Sequence, residues 1–286
     1  MPLFVRLMSL YEVLYRIYMK VQATFRPRVQ ATTVFGARVL CDKRDFIQRR
    51  IAFFGLFEPN LTYFTSHVLK PGDVFIDVGA NIGYFSMLAS KCVGEAGKVY
   101  AIEAAPSTHE LLVRNLALNR MRNVQPVNMA VADRECRVRI RSVDSRNIGK
   151  SKVQFTSGDE GGGVIGRPLP AIVGSDFGRA TLIKVDVEGA EGVVLPGILN
   201  ALASRNSGAV LVSEINPENA HLLSLANGLG FKIKAMPNNY SISNLLIRSL
   251  LRRTGEDQFY VLRDTQSYIS DQYDYVFFRE GAATRP

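Results

Sequence analysis

Val74-Phe75-Ile76-Asp77-Val78-Gly79-Ala80-Asn81-Ile82-Gly83 follows the turn Pro71-Gly72-Asp73 and precedes Tyr84-Phe85-Ser86-Met87-Leu88-Ala89-Ser90-Lys91. A short apolar run bounded by turn residues is how a strand buried on both faces reads. The glycines let the backbone turn tightly and come close to a ligand, and the residues from Tyr84 on continue as a helix. Strand, glycine loop and helix in this order put the loop at the carboxyl end of a strand, where open α/β sheets bind their ligands. The loop is not a dinucleotide fingerprint. Only Gly79 and Gly83 are present, Asn81 lies between them, and a G-x-G-x-x-G is missing. Asp77 at the strand end would repel a pyrophosphate and suits a cationic ligand.

Outward from this loop the alternation repeats. Residues 98–103 form a strand ending on the carboxylate of Glu103. Pro106 and Ser107 open a helix in which Ser107 and Glu110 have capping-box spacing. Residues 124–127, 181–187, 209–215, 231–235 and 273–278 are further strands, and 222–229 is a helix. The segment 136–180 is polar and glycine-rich, which predicts short hairpin strands and a mobile loop. Alternating strands and helices give an α/β fold, doubly wound, with a mostly parallel sheet. No crossover-helix pattern of the usual kind joins the last two strands, so the final strand is expected to be antiparallel. Residues 1–60 are expected to be an N-terminal helical extension, and 61–286 the ligand-binding domain.

Glu103 occupies the position from which an acid accepts ribose hydroxyls. A second segment, Leu182-Ile183-Lys184-Val185-Asp186-Val187-Glu188-Gly189-Ala190-Glu191, places Lys184 and Asp186 in an apparently buried strand. Charges there are costly unless paired or hydrogen-bonded. If this strand neighbours the Asp77 strand, Asp186 and Glu188 open into the same crevice. The plainer alternative is an ion pair that only orders the sheet. A ribose acceptor beside an acid that suits a cation fits S-adenosylmethionine, which carries a sulfonium and an ammonium group.

DVGANIG at 77–83 together with KVDVEGAE at 184–191 resembles the FkbM family of S-adenosylmethionine-dependent methyltransferases. Phe57-Glu58-Pro59, Glu103 followed by Pro106, Asn119 before Asn123-Val124, and Ser213-Glu214-Ile215 agree with it. The family more often has Glu-Pro directly where this chain has Glu103 and Pro106. The resemblance implies a seven-strand class I, Rossmann-like methyltransferase fold and transfer to an oxygen, often a sugar or polyketide hydroxyl. It also implies Asp77, Gly79, Asn81 and Gly83 as the methionine-side loop and Glu103 as the ribose ligand. Asn128 and Ala130 fall where adenine contacts are expected, with Asp133 a second candidate.

The expected reaction is an in-line displacement with positioning as its main source of acceleration. Asp186 and Glu188 are candidates for a base or for orienting the acceptor, with Lys184 holding Asp186 ionised. Glu214 is a third acid at a strand end, and His67 and His109 read as ordinary helix residues. No cluster demands a metal. Cys41, Cys92 and Cys136 lack zinc-ligand spacing and fit reduced thiols.

The net charge of +9 favours anionic partners. A nucleic-acid methyltransferase is therefore one alternative, although no recognisable binding module interleaves the basic residues with aromatics. A nicotinamide dehydrogenase is disfavoured by the missing glycine motif, and a non-catalytic S-adenosylmethionine-binding protein is a third reading. The preferred acceptor is a small molecule or glycan. Arg248, Arg252, Arg253 and Arg263 either recognise an anionic acceptor or form a solvated basic face.

In residues 1–21, Arg6, Ser9, Glu12, Arg16 and Lys20 share one helical face, while Leu3, Leu7, Leu10, Leu14 and Tyr18 lie away from it. Two fates suit such a helix: docking on the catalytic domain, or weak contact with a membrane surface. No secretory signal is recognised, and the expected location is cytoplasmic or peripheral to the membrane.

Overall fold

The computed structural model describes residues 3–142, 151–155, 163–187, 189–205, 207–237, 262–265 and 273–279. Helix α1 (Leu3–Phe25) leads into the hairpin β1 (Arg28–Thr32) and β2 (Arg38–Asp42), then α2 (Phe46–Phe54) and α3 (Pro59–Val68). The alternating region follows: β3 (Val74–Val78), α4 (Tyr84–Val93), β4 (Lys98–Ile102), α5 (Pro106–Leu118) and β5 (Val124–Val127). An insertion comprises β6 (Ala130–Val131), β7 (Cys136–Ser142), β8 (Ser151–Phe155), β9 (Val164–Arg167) and α6 (Leu169–Val173). Next come β10 (Ala180–Val185), α7 (Glu191–Ser204), β11 (Val210–Glu214), α8 (His221–Gly228), β12 (Lys232–Pro237), β13 (Arg263–Asp264) and β14 (Tyr273–Phe278).

The main sheet runs β13-β12-β14-β11-β10-β3-β4-β5. From β11 to β5 every pairing is parallel. The final strand β14 lies antiparallel between β11 and β12, as the sequence predicts. Strand order switches between β3 and β10. The chain leaves β3 toward β4 on one side, and β10 enters on the other, so the loops after these strands diverge and leave a crevice. The insertion forms its own four-stranded sheet, β6-β9-β7-β8, where hairpin strands are expected. The centre of the expected mobile loop, 156–162, lies outside the described residues.

Successive side chains of a strand point to opposite faces, and the core divides accordingly. Phe75, Ala101, Leu182 and Val212 pack under α3, α4 and α5. Val74, Ile76, Ile102, Ile183 and Leu211 pack under α6, α7 and α8. Ala37, Val39, Cys41, Ile51 and Phe57 join the first of these clusters, so the hairpin and α2 share its core. Side-chain amides tie the hairpin down: Asn115 and Asn119 accept from the Leu40 and Arg38 N–H groups, each at 2.8 Å.

The expected capping box does not form. Pro106 is the first residue of α5, which puts the cap at Ala105 and leaves Ser107 inside the first turn, with no side-chain cap. Helix α7 is not predicted above. It carries Gly192, Pro196 and Gly197 and is apolar nearly all round, so it lacks the polar–apolar contrast from which helices are read. Among the described residues, no helix is long and apolar enough to cross a membrane.

Candidate active site

Lys184 and Asp77 face each other in register across the parallel β10–β3 pair, and both are buried. The Lys184 ammonium lies 3.1 Å from Asp186 Oδ2, 3.9 Å from Asp77 Oδ1, and 5.2 Å from the centre of the Phe85 ring. Burial opposes its charge, but the carboxylates of Asp186, Asp77 and Glu58 outweigh that and hold its pKa above the ordinary lysine range. Asp77 Oδ2 accepts the Ser86 hydroxyl at 2.6 Å, while Oδ1 is buried with no hydrogen-bond partner. Burial pushes the Asp77 carboxyl up, against the pull of Lys184 and Ser86. One ammonium thus stands among three carboxylates, a net negative floor beneath the loop.

Gly79 closes that floor. Its φ is +77°, and a Cβ there would lie 1.7 Å from the Asp186 carbonyl oxygen. The Asp186 N–H donates to the Val78 carbonyl at 3.0 Å, and the N–H groups of Gly79 and Ala80 donate to the Ile102 carbonyl. Asn81 is left-handed at φ +49°, and its N–H donates to Glu103 Oε2 at 2.9 Å. Glu103 Oε1 accepts the Ala105 N–H at 2.8 Å. Burial raises the Glu103 carboxyl despite these two bonds. A carboxylate offers about four acceptor positions, and two are engaged, so the rest are available to hydroxyls in the crevice.

The crevice is lined by Gly79, Asn81, Glu103, Ala130 and Asp186, with Thr108, Met129, Ile140 and Ile47 adding an apolar side. Its enclosed volume is about 70 Å³, and beyond that the crevice opens to solvent. Asn81 Oδ1 and Thr108 Oγ1 are buried without hydrogen-bond partners. Free carboxylate positions at the rim, orphaned polar atoms and a negative floor fit a ribose-bearing cation, and therefore S-adenosylmethionine. They suit a pyrophosphate poorly.

The sequence-predicted residues separate into groups. Gly79, Asn81, Glu103, Ala130 and Asp186 line the crevice, and Asp77 and Lys184 lie beneath it. Gly83 caps α4 at φ +91°, where a Cβ would meet Leu112 Cδ1 at 2.5 Å, so it serves close packing of α4 on α5. Asn128 stands outside the lining, its Nδ2 donating to the Glu103 and Ala104 carbonyls at 2.8 and 3.0 Å. Asp133 is exposed and paired with Arg134. Glu214 is exposed, and neither His67 nor His109 lines the crevice. Glu188 lies outside the described residues, as do Arg248, Arg252 and Arg253, while Arg263 is exposed. Ile47 and Ile140 reach the site from remote elements and carry no local signal in the sequence. Glu58 had a signal, its Glu-Pro pair, but no role. It is buried, heads α3 at a strained φ of +40°, and acts on Lys184.

The methyltransferase FkbM domain model matches residues 77–233, more than half of the chain. A probable cobalt-precorrin-6B C(15)-methyltransferase (decarboxylating) of Sulfolobus acidocaldarius is 44% identical over 54 residues, 19% of this chain. The match spans only 28% of that relative's length. Among solved structures, the precorrin-6y C5,15-methyltransferase of Geobacter metallireducens is similar at TM-score 0.41 and 13% identity, over 77% of this chain and 88% of that one. TYW2 of M. jannaschii, in complex with AdoMet, is similar at TM-score 0.42 and 15% identity, over 88% and 87%. The glycine loop, the acid after β4 and the charged β10 all fall inside the matched region, and the chain belongs to the FkbM methyltransferase domain family, whose methyl donor is S-adenosylmethionine.

Proposed function

We propose that the protein transfers a methyl group from S-adenosylmethionine to a hydroxyl oxygen of a small-molecule or glycan acceptor, with Asp186 receiving or orienting that hydroxyl. The observation that carries this reading is the Asp186 side chain. It is 32% exposed, lines the crevice and is held at Oδ2 by Lys184. When bound, S-adenosylmethionine supplies a methyl on a sulfonium, an electrophile that is already activated. The chain's part is then to bind and orient. Glu103 receives ribose hydroxyls, and Asn81 and Gly79 shape the loop above the negative floor. Lys184 holds Asp186 in place at Oδ2, which leaves Oδ1 to accept the acceptor's O–H. Asp77, buried and bonded to Ser86, positions Lys184 from below.

Two variants test this reading. Glu103→Gln keeps the shape but weakens charge-assisted bonds worth about 1.5–3 kcal/mol. In titration calorimetry, S-adenosylmethionine affinity should fall roughly 10- to 100-fold with circular dichroism unchanged. Unaltered affinity would remove Glu103 from the site. At saturating cofactor, Asp186→Asn should lose about 10²–10⁴-fold in kcat, read as S-adenosylhomocysteine release over a panel of sugar and other hydroxylated acceptors. Full turnover by this variant would sink Asp186 as the group that takes the proton.

A further inference from the structure

Helix α1 is two-faced in an unusual way. Tyr15 packs against the rings of Phe53 and Phe54, and Met19 and Ala23 are buried on the same side. Away from that contact Val13, Leu14, Ile17, Val21 and Phe25 are between 46% and 80% exposed, and Tyr18, 49% exposed, lies at the edge of the stripe with its ring 5.8 Å from that of Phe53. Their spacing, with 14, 18, 21 and 25 on one line and 13 and 17 beside it, is that of a continuous helical stripe. They are six of the eleven large apolar side chains exposed among the described residues. A contiguous stripe of this kind, unlike scattered surface leucines, marks an interaction site.

The charges around the stripe point to its partner. Residues 13–28 contain Arg16, Lys20, Arg26 and Arg28 and no acid, and Lys20, Arg26 and Arg28 are exposed. A second copy of the chain would bring like charge against like. An anionic lipid surface offers both an apolar boundary for the stripe and negative headgroups for the basic residues. The helix is not apolar enough to cross a membrane, so it would lie in the interface plane. We propose that the exposed face of α1 docks the protein on anionic membranes, with the opposite face anchored to α2. This inference is independent of the methyl-transfer reading.

The test is flotation of the full chain with vesicles of phosphatidylglycerol mixed with phosphatidylcholine, and with phosphatidylcholine alone. The wild type should float with the anionic vesicles, and binding should fall as salt is raised. Ile17→Glu, at an exposed position that leaves the docked face intact, should lose roughly tenfold or more of the partitioning while S-adenosylmethionine affinity stays unchanged. Three results would overturn the proposal: no flotation of the wild type with anionic vesicles, equal flotation of Ile17→Glu, or a dimer that this variant converts to monomer. The last would make the stripe a contact between copies. Because cofactor affinity is read in parallel, a failure of lipid docking is distinguishable from a failure of the methyltransferase reading.

Discussion

Alanine at position 79 is expected to abolish S-adenosylmethionine binding and to remove about 3–5 kcal/mol of stability, the sum of a left-handed residue and a steric overlap. The backbone at Gly79 has φ +77°, and the added methyl would fall 1.7 Å from the Asp186 carbonyl. That neighbour is backbone, held by the Asp186 N–H bond to the Val78 carbonyl, so it cannot swing aside as a side chain would. The loop must lift away from β10, and the lining residues Asn81 and Asp186 then move apart. Gly72→Ala is the control. Its φ of +91° is also left-handed, but nothing lies within 4 Å of the new Cβ, so only the conformational cost of about 1–2 kcal/mol remains. Urea unfolding of both variants separates the two terms. Equal losses would show that contact with Asp186 does not shape the loop.

The same contact shows where the sequence was readable and where it was not. Strands β3, β4 and β10 were legible because each is a short apolar run between turn residues, and burial on both faces requires that composition. The need of Lys184 for a partner followed from cost, because charges in a buried strand are expensive unpaired; the sequence offers Asp186 as that partner, and only the register across the sheet adds Asp77. Glu103 was legible as the acid that ends a strand. The apolar side of the crevice was not. Ile47 arrives from α2 and Ile140 from the inserted sheet, and nothing local distinguishes an isoleucine that lines a cleft from one that fills a core. Helix α7 was missed because its solvent face carries Val193 and Gly197 rather than charged residues, which erases the polar–apolar contrast that announces a helix. The assumed cap at Ser107 failed because a proline at the first helical position moved the cap two residues earlier than the Ser–Glu spacing suggested, and the N–H of Ala105 found Glu103 instead. The local bond that replaced the capping box thus also fixes the Glu103 carboxylate at the crevice.

Lys184→Met tests whether the charged floor is held together from its centre. The methionine keeps the length of the side chain and its packing against Phe85, but leaves Asp77 and Asp186 without their ammonium. Removing one member of a buried charge group costs about 3–5 kcal/mol, because the remaining charge stays buried and uncompensated. The loss should depend on pH. Burial already raises the Asp77 carboxyl above its ordinary 3.8, and without Lys184 it rises further. A carboxyl with a raised folded-state pKa stabilises the fold below its unfolded value, and that stability is lost as the pH climbs through the raised one. The deficit of Lys184→Met should therefore be largest at neutral and alkaline pH and shrink on acidification. In the wild type, Lys184 acts through its own raised pKa, so its contribution is complete below the ordinary lysine value of 10.5 and is lost only above it. Thermal unfolding across a pH series reads both trends. Asp77→Asn in the Lys184→Met background should return a large part of the lost stability, since it removes the orphaned charge rather than a partner. If the single and double variants unfold together at every pH, Lys184 and Asp77 are not coupled, and the floor of the crevice is held by packing around Phe85 instead.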